Sequence, residues 1–327
     1  FGSSAGSSLL ASSWKFFWGG GMGSACQKAS ASAPPEAAAA SPAAAPVSPM
    51  AVQEKLWAAV AALRDKCPLV QCLTNFVSMD IMANGLLALG ASPAMVHAIG
   101  ELEVAVPIVG QIGGAVSINI GTLDERWIES FKKTVALCKA SSVPWVLDPV
   151  AANFTPLRTQ TSIELMEIYP PAVLRGNGSE IVALAGAAGG GKGVDSTLGS
   201  GAALEAAKSL ASRFGCVVCV SGATDYVVGP ASDCPVMTCP HGHEMLTKVT
   251  ACGCLLSSVI AAFVCSRPEG MGIQESTILA CTYYCLAAEV AMRTSAGPGT
   301  FRVQFLDCLY SLNKETPDLP ELLTKLG

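Results

Sequence analysis

The sequence predicts an α/β fold with a mostly parallel central sheet flanked by helices. Two observations carry that prediction. Between about residues 52 and 312, short apolar runs alternate with longer segments of helical periodicity, the pattern of repeated strand–crossover–strand units. Each short run also stops on polar or turn-forming residues, as parallel strands do where they emerge from a covered sheet. The composition agrees: 51% of residues are hydrophobic and 14% are charged, enough to fill a large core.

The elements follow in order. An amphipathic helix is expected over 52–65. A strand over 69–73 closes on Thr74-Asn75, and a helix over 79–89 is broken by Gly90. A short strand is expected at 94–96 and another at 116–120, ending on Gly121. The next helix opens at Asp124, whose carboxylate suits an N-cap. Strands at 145–147 and 172–174 end on Asp148-Pro149 and on Arg175-Gly176-Asn177. A helix over 200–213 precedes a strand at 217–220 that ends on Ser221-Gly222. Helices over 253–265, 275–293 and 301–312 complete the pattern.

Residues 1–50 stand apart as Ser, Ala, Gly and Pro with few charges, a composition that cannot bury a core. They are expected to form a disordered tail, and the globular domain spans 51–327. The Ser-rich, acid-poor tail suits an organelle transit segment. The expected compartment is therefore the cytoplasm, or a plastid or mitochondrion reached through 1–50. The chain opens on Phe1, and Met22-Gly23-Ser24 offers a start.

Several function classes are disfavoured. The net charge is −5, with no Lys/Arg cluster, so nucleic acid is not an expected partner. No apolar run reaches the roughly 18 residues of a membrane span; the richest stretch, 254–265, contains Ser257 and Ser258 and reads as a buried helix. The 14 cysteines are irregularly spaced and read as small buried hydrophobes in a reducing compartment. Cys216 and Cys219 would face opposite sides of a sheet, which argues against a metal or redox pair. His97, His241 and His243 do not align with a hydrolytic triad. Lys192 lies in a Gly-rich stretch but is followed by Gly193, so that segment reads as a flexible loop rather than a P-loop.

In open α/β sheets ligands sit at the carboxyl ends of the strands. Here those ends carry Thr74-Asn75, Asp148, Arg175-Gly176-Asn177 and Ser221-Gly222. The stretch Thr247–Leu256, with Ala251-Cys252-Gly253-Cys254 at its centre, turns small residues into a helix start at Gly253. Free N–H groups and the positive helix end there would hold an anion, and a thiol at Cys254 in the first turn would have its pKa lowered.

Ala251-Cys252-Gly253-Cys254 resembles the Gly-Thr-Gly-Cys stretch of hydroxyethylthiazole kinases, which have a ribokinase-like three-layer fold. Further matches stand in family order from about 52 to 313: 86–96, Asn119-Ile120-Gly121-Thr122-Leu123, Val146–Val150, Leu174–Glu180 and Gly297-Pro298-Gly299-Thr300-Phe301. The resemblance implies that 51–327 is an ATP-dependent kinase domain acting on the hydroxyl of 4-methyl-5-(2-hydroxyethyl)thiazole. It implies Mg²⁺ near Asp148 and Glu180, ATP contacts from Arg175, Ser221 and Gly253, and thiazole contacts from Met95, Ala251 and Asn75. It makes Cys254 the catalytic residue, drawing a proton from the substrate hydroxyl or orienting it. It also implies a homotrimer with sites between subunits. Plainer roles stay open for some of these residues: a turn before Pro149 for Asp148, a first-turn helix acid for Glu180, an ion pair for Arg175, and core packing for Met95. Ala251 and Cys252 stand where the family has Gly and Thr. The segment from Ser221 to Ala251 is longer than usual, with the extra length expected in a surface loop. Two rival readings remain: a kinase of another small alcohol, and a catalytically dead binding protein.

Overall fold

The computed structural model describes residues 49–188 and 200–317. The expectations for the N-terminal tail and for the loop around Lys192 lie outside the described residues.

Alternation of strand and helix builds one sheet. Its strands are β1 (Leu69–Leu73), β2 (Ser92–Ala94), β3 (Ala115–Asn119), β4 (Trp145–Asp148), β5 (Val173–Asn177), β6 (Val217–Ser221), β7 (Asp225–Val228) and β8 (Met237–Cys239), in the order β2-β1-β3-β4-β5-β6-β7-β8. Every pairing from β2 to β6 is parallel, and β6–β7 and β7–β8 are antiparallel. Both edges of the sheet are three-residue strands, and β2 carries Pro93.

Because strand side chains alternate, the central strands feed two cores. Val70, Cys72, Val146, Val173 and Cys219 pack under α1 (Pro49–Lys66), α2 (Met79–Leu89), α8 (Cys252–Ser266), α9 (Ile273–Met292) and α10 (Pro298–Ser311). Val116, Ile118, Trp145, Leu147, Leu174 and Val218 pack on the other face under α3 (Ile99–Gln111), α4 (Glu125–Ser141), α5 (Pro156–Ile168), α6 (Gly178–Ala187) and α7 (Ser200–Phe214). The three-layer, mostly parallel arrangement is the expected one. Cys216 and Cys219 do face opposite cores. No helix among the described residues is long and apolar enough to cross a membrane.

Helices α3, α5 and α6 were not among the expected elements, and three further details differ from the expectation. The length between Ser221 and Ala251 is not a plain surface loop: it forms β7, β8 and a 3₁₀ turn, Glu244–Lys248, that delivers the chain to α8. The edge strand lies at 92–94 rather than 94–96, because Leu69, Val70 and Gln71 pair with Ser92, Pro93 and Ala94. Helix α8 begins at Cys252, not Gly253, because Ala251 adopts φ 64 and ψ 10 and caps it.

Deep burial of thiols has a consequence for pH. Burial pushes Cys72, Cys138 and Cys216 up to about 12. A raised acid pKa means that the folded state holds the proton more tightly than the unfolded chain does. The associated stability is complete below the unfolded thiol value and is lost as pH rises from there toward 12. Each thiol contributes about 1.4 kcal/mol per pH unit in that window, so three should remove roughly 4 kcal/mol per unit above pH ~9. Urea unfolding at half-unit steps from pH 7.5 to 10.5 should show a flat region and then a steep fall. A flat profile throughout would show that these thiols do not resist ionisation.

Candidate active site

The site forms where the carboxyl ends of β1, β3, β4, β5 and β6 meet the amino end of α8. The first N–H groups of a helix lack intrahelical partners, and Ala251 supplies no side-chain cap. The mouth of α8 is thus a set of outward N–H donors at the positive helix end, suited to a phosphate. A β-carbon at Gly253 would stand 2.9 Å from Arg175 Nη1. Glycine is what lets the guanidinium lie against that mouth.

A run of polar side chains crosses the strand ends beside it. Asn75, just past β1, accepts the Val77 and Ser78 N–H groups through Oδ1 at 3.0 Å each. That turns its Nδ2 outward, to donate to Asn119 Oδ1 at 2.8 Å and toward Cys254 Sγ at 3.6 Å. Asn119, the last residue of β3, also accepts the Gly121 N–H at 3.0 Å. Its Nδ2 donates to Asp148 Oδ2 at 2.8 Å. Ser257, one turn beyond Cys254 on α8, donates to the same oxygen at 2.9 Å. Arg175 Nη1 lies 3.8 Å from it, and Arg175 Nε donates to Ser221 Oγ at 2.9 Å. With its oxygen taken by Arg175, the Ser221 hydroxyl keeps its own hydrogen to donate outward.

The structure therefore brings Asn75, Asp148, Arg175, Ser221, Gly253 and Cys254 into one cluster. Met95 follows the edge strand β2 and packs half-buried against the core. Its carbonyl lies 3.2 Å from His97 Nδ1, and the His97 ring stacks on Trp127. His241 faces Glu289 and His243 caps the 3₁₀ turn, so the three histidines form no triad. Reading the sequence for site residues missed Asn119 and Ser257. Both had a signal: Asn119 ends a strand, and Ser257 stands three residues after Cys254 on one helix face.

Electrostatics corrects one expectation. Cys254 was expected to ionise easily at the helix start. Instead burial, with the Asp148 charge adding to it, pushes its thiol up to about 12, against the Asn75 and Asn119 amides and Arg175. The dipole argument failed because burial and the neighbouring Asp148 charge outweigh it. Asp148 and Glu180 are both held above the usual carboxylate range by burial, and the Asp148 charge raises Glu180 further. Burial pulls Arg175 down, but Asp148, Glu180 and Asp225 more than reverse that and hold it charged.

Glu180 has a structural duty as well. Its Oε1 accepts the Ala151 N–H and its Oε2 the Asn177 N–H, both at 2.8 Å, while Asn177 Oδ1 caps the Glu180 N–H at 3.0 Å. This is the capping box of α6. Glu180→Gln turns one acceptor into a donor facing an N–H group. The variant should lose about 1–3 kcal/mol of stability in chemical denaturation. Unchanged stability would show that one of the two bonds contributes nothing.

The acids also suit a hard cation. Among the described residues no group of three or more His, Cys, Asp or Glu converges as a cage. Mg²⁺ binds through one or two carboxylates together with waters and phosphate oxygens, and a cation near Asp148 and Glu180 relieves the repulsion between them.

Comparison with known proteins places the chain among relatives. The model of the Hydroxyethylthiazole kinase family matches residues 60–315. A hydroxyethylthiazole kinase of Arabidopsis thaliana is 41% identical over 273 residues, covering 83% of this chain and 95% of that protein. One of Zea mays is 43% identical over 266 residues, covering 80% and 90%. A solved structure of a hydroxyethylthiazole kinase protein from Pyrococcus horikoshii OT3 is 37% identical, covers 80% of this chain and 94% of its own, and superposes with a TM-score of 0.71.

Proposed function

The chain belongs to the hydroxyethylthiazole kinase family and is a kinase, and on that premise we propose that it transfers the γ-phosphoryl group of ATP to the primary alcohol of 4-methyl-5-(2-hydroxyethyl)thiazole, the salvage step that feeds thiamine phosphate synthesis. The observation that carries this reading is the run Asn75–Asn119–Asp148, with Cys254 near one end and Arg175 near the other, laid across the mouth of α8.

Phosphoryl transfer needs positioning and charge neutralisation more than covalent help. In this reading the α8 N–H groups, Arg175 and the Ser221 hydroxyl hold the phosphates. Mg²⁺, when bound, neutralises phosphate charge, and Asp148 and Glu180 would hold it. Cys254, a neutral thiol in the resting site, orients the substrate hydroxyl toward phosphorus. A strong base is not needed when the bond to the incoming oxygen forms late. Met95, Asn75 and Ala251 frame the thiazole end, the soft thioether suiting an aromatic sulfur ring.

A homotrimer with sites between subunits fits the surface. Val104, Ile108 and Ile112 recur every fourth residue along α3 and its end, and are 65%, 45% and 54% exposed. Such a stripe suits burial against another copy, and light scattering of the purified protein measures the assembly. The 1–50 segment as a targeting tail is tested by comparing the localisation and the activity of chains with and without it.

ADP release, measured with and without the thiazole alcohol, tests the reaction. Release that depends on the thiazole supports it. Release with a pyrimidine or pyridine alcohol instead would assign another substrate, and no release with any alcohol would indicate a binding protein.

A further inference from the structure

Beyond the strand ends, something must hold the loops that carry the site. Asn119 and Asp148 are the last register pair of β3 and β4. Past them one backbone bond remains, from the Ile120 N–H to the Asp148 carbonyl at 3.3 Å, and the two chains then diverge into α4 and α5. Arg158, on the first turn of α5, fills that fork. Its Nη1 donates to the Ile120 and Val150 carbonyls at 2.9 Å each, and its Nη2 to the Gly121 carbonyl at 2.6 Å. One guanidinium thus joins the loop after β3 to the loop after β4.

Both loops lean directly on the reacting groups. Gly121 is so close to Asn75 that a β-carbon there would stand 2.6 Å from Asn75 Nδ2, the atom that reaches Cys254 Sγ. Ala151, next to Val150, sits at φ 56 and gives its N–H to Glu180 Oε1. Any shift of the fork passes to the thiol's partner on one side and to an acid on the other.

We propose that Arg158 is a positioning residue for phosphoryl transfer: its planar fork sets the spacing between the Asn75–Cys254 end of the site and the Asp148–Glu180 end. The proposal rests on the kinase reading above. Lysine radiates its three donors from one nitrogen and lacks the two separated nitrogens that here meet the two loops in a fixed plane. Misplacement by about 1 Å can cost 10²-fold in rate.

The test uses the full chain with Arg158→Lys and Arg158→Gln, and two measurements. Amide hydrogen exchange of the ligand-free protein should quicken at 119–122 and 149–152 together, with the rest of the sheet unchanged. Steady-state kinetics should show kcat lower by about 10- to 100-fold, with KM for ATP and for the thiazole alcohol within about 3-fold. A wild-type kcat in Arg158→Lys overturns the proposal. So does faster exchange confined to α5, or spread over the whole chain, which marks a residue of general stability. If the unaltered chain does not phosphorylate the thiazole, the kinase reading fails while hydrogen exchange still decides whether Arg158 locks the two loops.

Discussion

Replacing Cys254 by alanine should lower kcat by about 10²-fold, the low end of what a group acting on the substrate hydroxyl contributes. Alanine removes the only side chain of α8 that the Asn75 amide reaches and leaves the hydroxyl without its orienting partner. Cys254→Asp should keep a substantial part of the activity, because a carboxylate accepts the same amide hydrogens. Cys252→Thr should be close to neutral. Cys252 is the buried first residue of α8; its backbone carbonyl accepts the Tyr284 hydroxyl at 2.6 Å, and its thiol meets the same hydroxyl, a contact that a threonine hydroxyl can keep. The wild-type profile should also lack a thiol inflection: with the pKa near 12, the thiol stays protonated from pH 6 to 9. Steady-state kinetics over that range, with folding checked by circular dichroism, gives the answer. A fully active Cys254→Ala would leave the α8 mouth alone to carry the reaction. A wild-type inflection that vanishes in Cys254→Asp would restore a thiolate base.

Asp148→Asn should be more damaging, in both turnover and stability. The amide oxygen can still accept from Asn119 and Ser257, so the shape survives. The charge does not, and Arg175, with its side chain only 12% exposed, loses its close counter-ion. Leaving one member of a buried pair behind costs about 3–5 kcal/mol. Turnover should fall by roughly 10²- to 10³-fold, as for loss of a preorganised charge at the reacting centre. The Mg²⁺ concentration for half-maximal rate should rise. Thiazole binding, which we propose involves Met95 and Asn75 at the β1 and β2 end of the sheet, should change little. Calorimetry with the thiazole alcohol, urea unfolding and a Mg²⁺ titration separate the three effects. Unchanged Mg²⁺ dependence would remove Asp148 from the cation.

Much of this site was legible because parallel strands end abruptly. Asp148 and Arg175 follow apolar runs, and that boundary marks the ligand face whatever the chemistry. The hairpin β7–β8 was not legible: Asp225–Val228 is short, and β8 has three residues among Pro, Ser and Asp, so turn signals drowned the strands. Helix α3 holds Pro107, which weakens a helical pattern, whereas Pro156 stands at the start of α5, where proline favours a helix, and that signal was passed over. The start of α8 was misjudged by one residue because alanine gives no sign of a left-handed conformation, which costs a residue with a β-carbon roughly 1–2 kcal/mol. The thiol was misjudged for another reason. A helix end is visible in sequence, whereas the burial of Cys254 and the nearness of Asp148 are products of the fold.

The two ends of the sheet have a consequence for this chain in a crowded solution. Its mean hydropathy is +0.46, and its central strands are apolar enough to template fibres if exposed. Yet among the described residues the sheet offers an incoming strand only β2 or β8. Each offers three residues, and Pro93 removes one donor from β2. Too few backbone bonds are on offer to seed a cross-β ladder. Aggregation through this sheet should therefore begin by unfolding rather than by strand addition to its native edges, so loss of the protein by that route should follow its unfolding rate.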